Sequence, residues 1–234
     1  ALTRLNRTLY AVSDAGSVLD VTTEGKPELL EPPAQPLTVQ DAISDTSTLL
    51  LWSGDSLTLF TPRDASYAAV EITLPAEPRA LATFQQRLYV IDRPTDQIIR
   101  YTRAGAGYGT GTPWLKDRTV RVGDATGLVI DGSVYVAADG TIHEFIQGAP
   151  QALTLQTVEP TLSGVTELWT DETTTRLYAL SPSTGRRVVF TERGSLVAQY
   201  ADDRLRDARS VVIDERAKLA YILTSTTVER FPLE

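Results

Sequence analysis

A column of tyrosines, set one repeat apart, constrains this chain more than any other feature. Tyr10, Leu50, Tyr89, Tyr135, Tyr178 and Tyr221 each lie at the centre of a five-residue apolar segment, at spacings of 40, 39, 46, 43 and 43 residues. Five of the nine tyrosines fall in this one column, which chance placement does not produce. A period near 40 residues is that of one supersecondary unit, which cannot bury its own faces and must stack on copies of itself.

Each unit has the same internal grammar. A short apolar strand such as Leu128-Val129-Ile130 or Val211-Val212-Ile213 comes first. A polar turn follows, then the tyrosine-column strand, then a turn rich in Asp, Gly or Pro (Asp14-Ala15-Gly16, Asp139-Gly140, Pro182-Ser183-Thr184-Gly185). A third strand alternates in hydrophobicity, as in Gln97-Ile98-Ile99-Arg100-Tyr101, and a weaker fourth closes most units. Period-two alternation marks half-buried strands, and no sustained 3.6-residue apolar period appears, so helices should be nearly absent. Four short antiparallel strands per unit is the pattern of a propeller blade. The expectation is an all-β, six-bladed β-propeller in one domain, 1–234, with blades near 1–35, 36–76, 77–122, 123–160, 161–206 and 207–234. The last unit stops after Thr227-Val228-Glu229-Arg230-Phe231, so its blade should have three strands. Ring closure should then rest mainly on packing of blade 1 against blade 6, because open blade faces would be wet.

Leu88-Tyr89-Val90-Ile91-Asp92 followed by Thr95-Asp96-Gln97-Ile98-Ile99-Arg100-Tyr101 resembles the NHL repeat, and Gly127 to Ala137 resembles the strand pair that opens the next. The Asn-His-Leu triplet of that family is absent; Thr95-Asp96-Gln97 stands in the turn. The resemblance implies a propeller used as a binding or sensor module, as in ectodomains of bacterial receptor kinases or propellers joined to PPM-type phosphatases. No cofactor is expected, and no residue reads as set up for catalysis.

Composition narrows the chemistry. There is no Cys, hence no thiolate nucleophile, disulfide or zinc–thiolate site. The single His, His143, makes a multi-histidine metal centre impossible, and its strand position favours packing over catalysis. A net charge of −8 disfavours nucleic acid and anionic membranes as partners. No run of about 18 apolar residues could span a membrane. Met is absent even at Ala1, which suggests a segment of a longer protein, and the resemblance to NHL-like propellers implies that this is a bacterial, membrane-anchored signalling protein with the propeller outside the cytoplasm. Gly105-Ala106-Gly107-Tyr108-Gly109 lacks the Lys-Ser/Thr of a phosphate loop and reads as a flexible connection in blade 3. The recurring turn residues Asp131, Asp171 and Asp214 read as backbone caps.

Loops entering the first strands and leaving the second strands share one face of a propeller, round the channel mouth. That face should carry Gln40, Asp41, Arg79, Asp124, Glu167 and Arg209 on one set of loops. Trp52, Asp92, Arg93 and Asp139 should come from the other, with Trp52 exposed. Mixed charge with one aromatic suits a small polar ligand or a protein surface. The expected function is non-catalytic binding, sensing or scaffolding. The enzymatic alternative is a hydrolase like gluconolactonase or regucalcin, with a channel cation. That group's Asn ligand has no counterpart, since the only Asn is Asn6 in a blade 1 turn, but Glu167 and Asp124 could meet a cation.

Overall fold

The computed structural model describes residues 1–23 and 25–233. Its strands form six antiparallel sheets in chain order. Blade 1 comprises Leu2–Leu5, Thr8–Val12, Val18–Asp20 and Glu28–Leu29. Blade 2 comprises Asp41–Asp45, Thr48–Ser53, Ser56–Thr61 and Ser66–Ala69. Blade 3 is built on Pro78–Phe84, Arg87–Asp92 and Gln97–Ala104; its third strand pairs with two short outer pieces, Gly107–Tyr108 and Thr112–Pro113. Blades 4 and 5 start at Gly127–Ile130 and Glu167–Trp169. Blade 6 has three strands, Ser210–Asp214, Leu219–Leu223 and Val228–Pro232. Among the described residues, helix is confined to two 3-10 turns, Pro182–Thr184 and Asp203–Asp207.

Alternation along the second strands distributes the core. In blade 2, Leu49 and Leu51, with Phe60 of the same blade, face blade 1, where they meet Tyr10 and Val12. Leu50 and Trp52 point the other way, onto Leu81, Leu88 and Val90 of blade 3. Similar seams lie between blades 3 and 4, 4 and 5, and 5 and 6. Each sheet thus buries both flat sides, and the first strands touch all round the axis. The tight turns between first and second strands take left-handed backbone at Asn6 (φ 57°) and Thr46 (φ 49°), a conformation Asn tolerates better than most.

Closure has no strand pairing from blade 6 to blade 1 among the described residues. The seam consists of buried Leu2, Leu9 and Val212, flanked by Ala11, Val21, Tyr221, Leu223 and Val228. Polar contacts reinforce it. The Leu2 amide donates to Ser210 Oγ at 3.3 Å, and Arg4 reaches Asp214 at 3.3 Å.

Two expectations are corrected. The glycine-rich stretch of blade 3 is a tight hairpin, with Arg103 opposite Tyr108 and Ala104 opposite Gly107. Gly107 is required there, since a Cβ would lie 2.2 Å from the Glu71 carbonyl, and that carbonyl accepts the Tyr108 amide at 2.9 Å. Tyr108 is buried with its hydroxyl donating to Asp45 at 3.2 Å, and its own ionisation is pushed up to about 12 by burial and by Asp45. Trp52 is buried between blades 2 and 3, its indole N–H donating to the Gly54 carbonyl at 2.6 Å. Its place two residues past the column centre turns it inward with Leu50.

In the outer part of blade 5, Arg187 is buried under the last strand of blade 6. Its guanidinium lies 4.3 Å from the centre of the Tyr200 ring, and Nη2 donates to the Pro232 carbonyl at 3.0 Å.

Candidate ligand site at the channel mouth

The six first strands begin at one face and enclose a channel of about 1090 Å³. Register fixes which residues share a level. Asp41 pairs with Trp52, Gly127 with Ala137, Glu167 with Leu180 and Ser210 with Leu223. Every one of these partners lies two residues beyond the column centre, so Asp41, Gly127, Glu167 and Ser210 form one ring near the mouth. In blade 3 the ladder is irregular between Val90 and Asp92, and Arg79 stands at this height. Six sequence-predicted residues therefore meet at the channel: Gln40, Asp41, Trp52, Arg79, Glu167 and Arg209.

The two carboxyls are held by local hydrogen bonds. Glu167 Oε1 accepts from Ser210 Oγ at 2.9 Å, while Oε2 is buried and meets no donor in hydrogen-bonding geometry. Asp41 Oδ1 accepts the Ala42 amide at 2.8 Å. Each keeps a window on the channel, yet surrounding protein displaces most of its water, and that desolvation raises both pKa values. For Glu167 the rise is large, and the charge of Asp41 adds to it; the Ser210 hydroxyl and the nearby Val211 amide oppose it. Arg79 and Arg209 are exposed, on the blades following those of Asp41 and Glu167. Among the described residues neither side chain makes a hydrogen bond or ion pair, although the Arg209 amide donates to the Leu223 carbonyl at 2.7 Å and its charge is felt at Asp207.

The other four predicted residues lie elsewhere. Arg93, Asp124 and Asp139 line a separate rim cleft of about 260 Å³ between blades 3 and 4. Its arginines are paired: Arg93 Nε lies 3.1 Å from Asp124 and Arg121 Nε 3.7 Å from Asp96. Asp92 is buried as a turn cap, accepting the Thr95 hydroxyl. Asp124 does not join Glu167, because it precedes the first strand and points outward over the rim. Among the described residues no group of three or more His, Cys, Asp or Glu side chains is placed to hold a metal ion.

The turn aspartates cap backbone amides, Asp131 that of Ser133 at 3.1 Å, Asp171 that of Thr173 at 2.8 Å and Asp214 that of Ala217 at 2.9 Å. Sequence reading missed that Asp131 and Asp171 also line an acidic cleft of about 530 Å³ with Glu144 and Glu192. Glu144 lies on the third strand of blade 4 and Glu192 just after that of blade 5, and only the stacking of blades juxtaposes them. His143 packs within blade 4, opposite Val136.

No protein-family model matches the chain, and no curated protein matches it. Solved structures do. The chain is similar to virginiamycin B lyase from Staphylococcus aureus at 12% identity and TM-score 0.63, over 95% of this chain and 76% of that one. It is similar to the extracellular domain of what is described as a hybrid two component system from B. thetaiotaomicron at 12% identity and TM-score 0.61, over 99% of this chain but 32% of that one. A nidogen/laminin complex contains a similar chain at 12% identity and TM-score 0.65, over 87% of this chain and 80% of that one. At such identities the likeness shows the fold alone: this chain is a six-bladed β-propeller with a three-stranded last blade.

Proposed function

We propose that this propeller is a non-catalytic recognition module of the sensor type, with NHL-like repeats, that binds a small polar ligand at the channel mouth. One observation carries the reading. The mouth holds the exposed guanidiniums of Arg79 and Arg209, which make no hydrogen bond or ion pair among the described residues, whereas the arginines of the rim cleft, Arg93 and Arg121, are already paired. Charged groups left without partners beside a cavity gain most from a ligand that supplies them. The likeness to an extracellular domain of a two component system supports a sensing role outside the cytoplasm. No helix among the described residues is long and apolar enough to cross a membrane.

The test is thermal unfolding of the wild type and of an Arg79→Ala/Arg209→Ala variant against a panel of small polar compounds. A ligand at about 100 times its Kd adds about 2.7 kcal/mol to stability, a rise of about 5–11 °C for a chain of this size. The expected result is such a rise in the wild type that disappears in the variant. A rise unaffected by the variant, chemical conversion of the bound compound, or no rise across the panel refutes the reading.

A further inference from the structure

The closing seam carries a hydrogen-bond relay that joins three blades. Ala1 and Val12 exchange both bonds of one rung, at 2.9 and 2.8 Å, so alternation turns the N–H and C=O of Leu2 away from the second strand and toward the axis. The Ser210 hydroxyl of blade 6 meets both. The Leu2 amide donates to Oγ at 3.3 Å, and Oγ lies 3.2 Å from the Leu2 carbonyl oxygen. The same Oγ lies 2.9 Å from Glu167 Oε1 of blade 5. A hydroxyl has one proton, so it donates to the Leu2 carbonyl or to Glu167 but not to both.

Ionised Glu167 takes that proton, because a bond to a carboxylate is the stronger and this contact is the shorter. The Leu2 carbonyl then faces only a lone pair of Oγ. Protonated Glu167 reverses the relay: Oε1 donates to Oγ, and Oγ donates to the Leu2 carbonyl. Glu167 Oε2 is buried with no partner in hydrogen-bonding geometry, so Oε1 is where the proton finds an acceptor. We propose that protonation of Glu167 tightens the closure of blade 6 on blade 1 through Ser210, and that ionisation loosens it.

The surroundings bring this titration above the usual carboxylate range. Burial first, and then the charge of Asp41, raise the Glu167 pKa well above its ordinary value, while the Ser210 hydroxyl, the Val211 amide and the Ala1 amino group pull it back. The Ala1 amino group in turn feels Asp41, Asp14 and Arg209. On the strands packed against Glu167–Trp169, Tyr135 is level with Val129 and Tyr178 with Trp169, toward the far end. There the same first strands are clasped by charge, with Arg4 lying 3.3 Å from Asp214 and 3.6 Å from Asp171. Since the folded-state pKa is the raised one, the tight form dominates in acid and is lost as pH rises through that value, above about 4.3.

The experiment is carbonyl NMR on the isotope-labelled wild-type chain from about pH 4 to about pH 8, alongside hydrogen exchange corrected for the intrinsic rate at each pH. The Leu2 carbonyl and the Glu167 carboxyl should shift with one midpoint. Protection of Leu2–Leu5 and Ser210–Asp214 should fall about fivefold or more across it, the factor one hydrogen bond is worth. Asp41→Asn should move the midpoint toward acid, because it removes the charge that opposes ionisation of Glu167. Glu167→Gln, whose carboxamide can donate to Oγ at every pH, should hold the acid level of protection throughout. In Ser210→Ala, Glu167 should still titrate while the Leu2 carbonyl stays still. A Leu2 carbonyl that ignores the titration of Glu167 in the wild type overturns the proposal without any variant. So does a Leu2 response that persists in Glu167→Gln, which would assign it to the Ala1 amino group, or one that persists in Ser210→Ala.

Discussion

Closure of the ring through a thin seam makes a localised prediction for Leu9→Ala. Leu9 is 3% exposed, in a seam with three buried apolar residues among those described, Leu2, Leu9 and Val212. Leu88 occupies the same repeat position in blade 3, is fully buried, and belongs to a seam with nine. Burying a Leu or Val is worth about 2 kcal/mol, so about 6 kcal/mol holds blade 6 to blade 1 through its central side chains. Leu→Ala in a core costs about 3 kcal/mol once the cavity is included. Leu88→Ala should therefore lower global stability by about 3 kcal/mol, or the melting temperature by about 6–12 °C, evenly over the molecule. Leu9→Ala should remove about half of the seam energy, so blades 1 and 6 part while the rest stays folded. An opening made easier by 3 kcal/mol speeds amide exchange about 150-fold, in Leu2–Leu5, Thr8–Val12 and Ser210–Asp214, with far smaller changes in blades 3 and 4. Hydrogen exchange read by mass spectrometry resolves these segments. Equal acceleration in every blade for Leu9→Ala, matching Leu88→Ala, would show that the seam is no weaker than the others and sink the argument.

Glu167→Gln should stabilise the fold at neutral pH. A carboxyl with raised folded-state pKa binds its proton more tightly when folded, so its contribution is full below about pH 4.3, the unfolded value, and is lost as pH rises through the folded one. The groups facing it are Asp41, the Ser210 hydroxyl, the Val211 amide and the Ala1 amino group, and Gln keeps the contact to Ser210. Thermal unfolding between pH 4 and pH 8 should show the variant gaining on the wild type as pH rises, by about 2–4 °C in melting temperature per kcal/mol; a gap that widens toward acid contradicts the assignment. Gly148→Ala should destabilise by at least about 1–2 kcal/mol from its left-handed backbone alone, and by more because the added Cβ would lie 2.2 Å from the Trp114 carbonyl; a chevron analysis showing a neutral variant refutes this.

The fold was legible because a propeller repeats its information. Six copies of one strand, with Tyr10, Tyr89, Tyr135, Tyr178 and Tyr221 in register, average out local ambiguity, and even Leu50 could be placed by spacing. The site was half legible. The repeat places Asp41, Glu167 and Arg209 at the start of first strands, which must line the axis. Asp124 lies three residues before its first strand, far enough to leave the channel for the rim, and Trp52 turned inward because alternation outweighs its position at a strand end. Asp92 fails for another reason: a short polar side chain beside Thr95 satisfies its own turn before it can face solvent. The acidic cleft was invisible because Glu144 and Glu192 come from different blades.

The contact between Arg187 and Pro232 bears on how molecules of this protein behave when crowded. A three-stranded last sheet offers neighbouring molecules a border onto which a foreign strand can add, the usual start of runaway polymerisation. Here proline supplies no N–H at one rung, and its oxygen is already held by a buried guanidinium from the sheet behind. The border is thereby blunted where a second copy would dock, which favours discrete particles over fibres at high concentration.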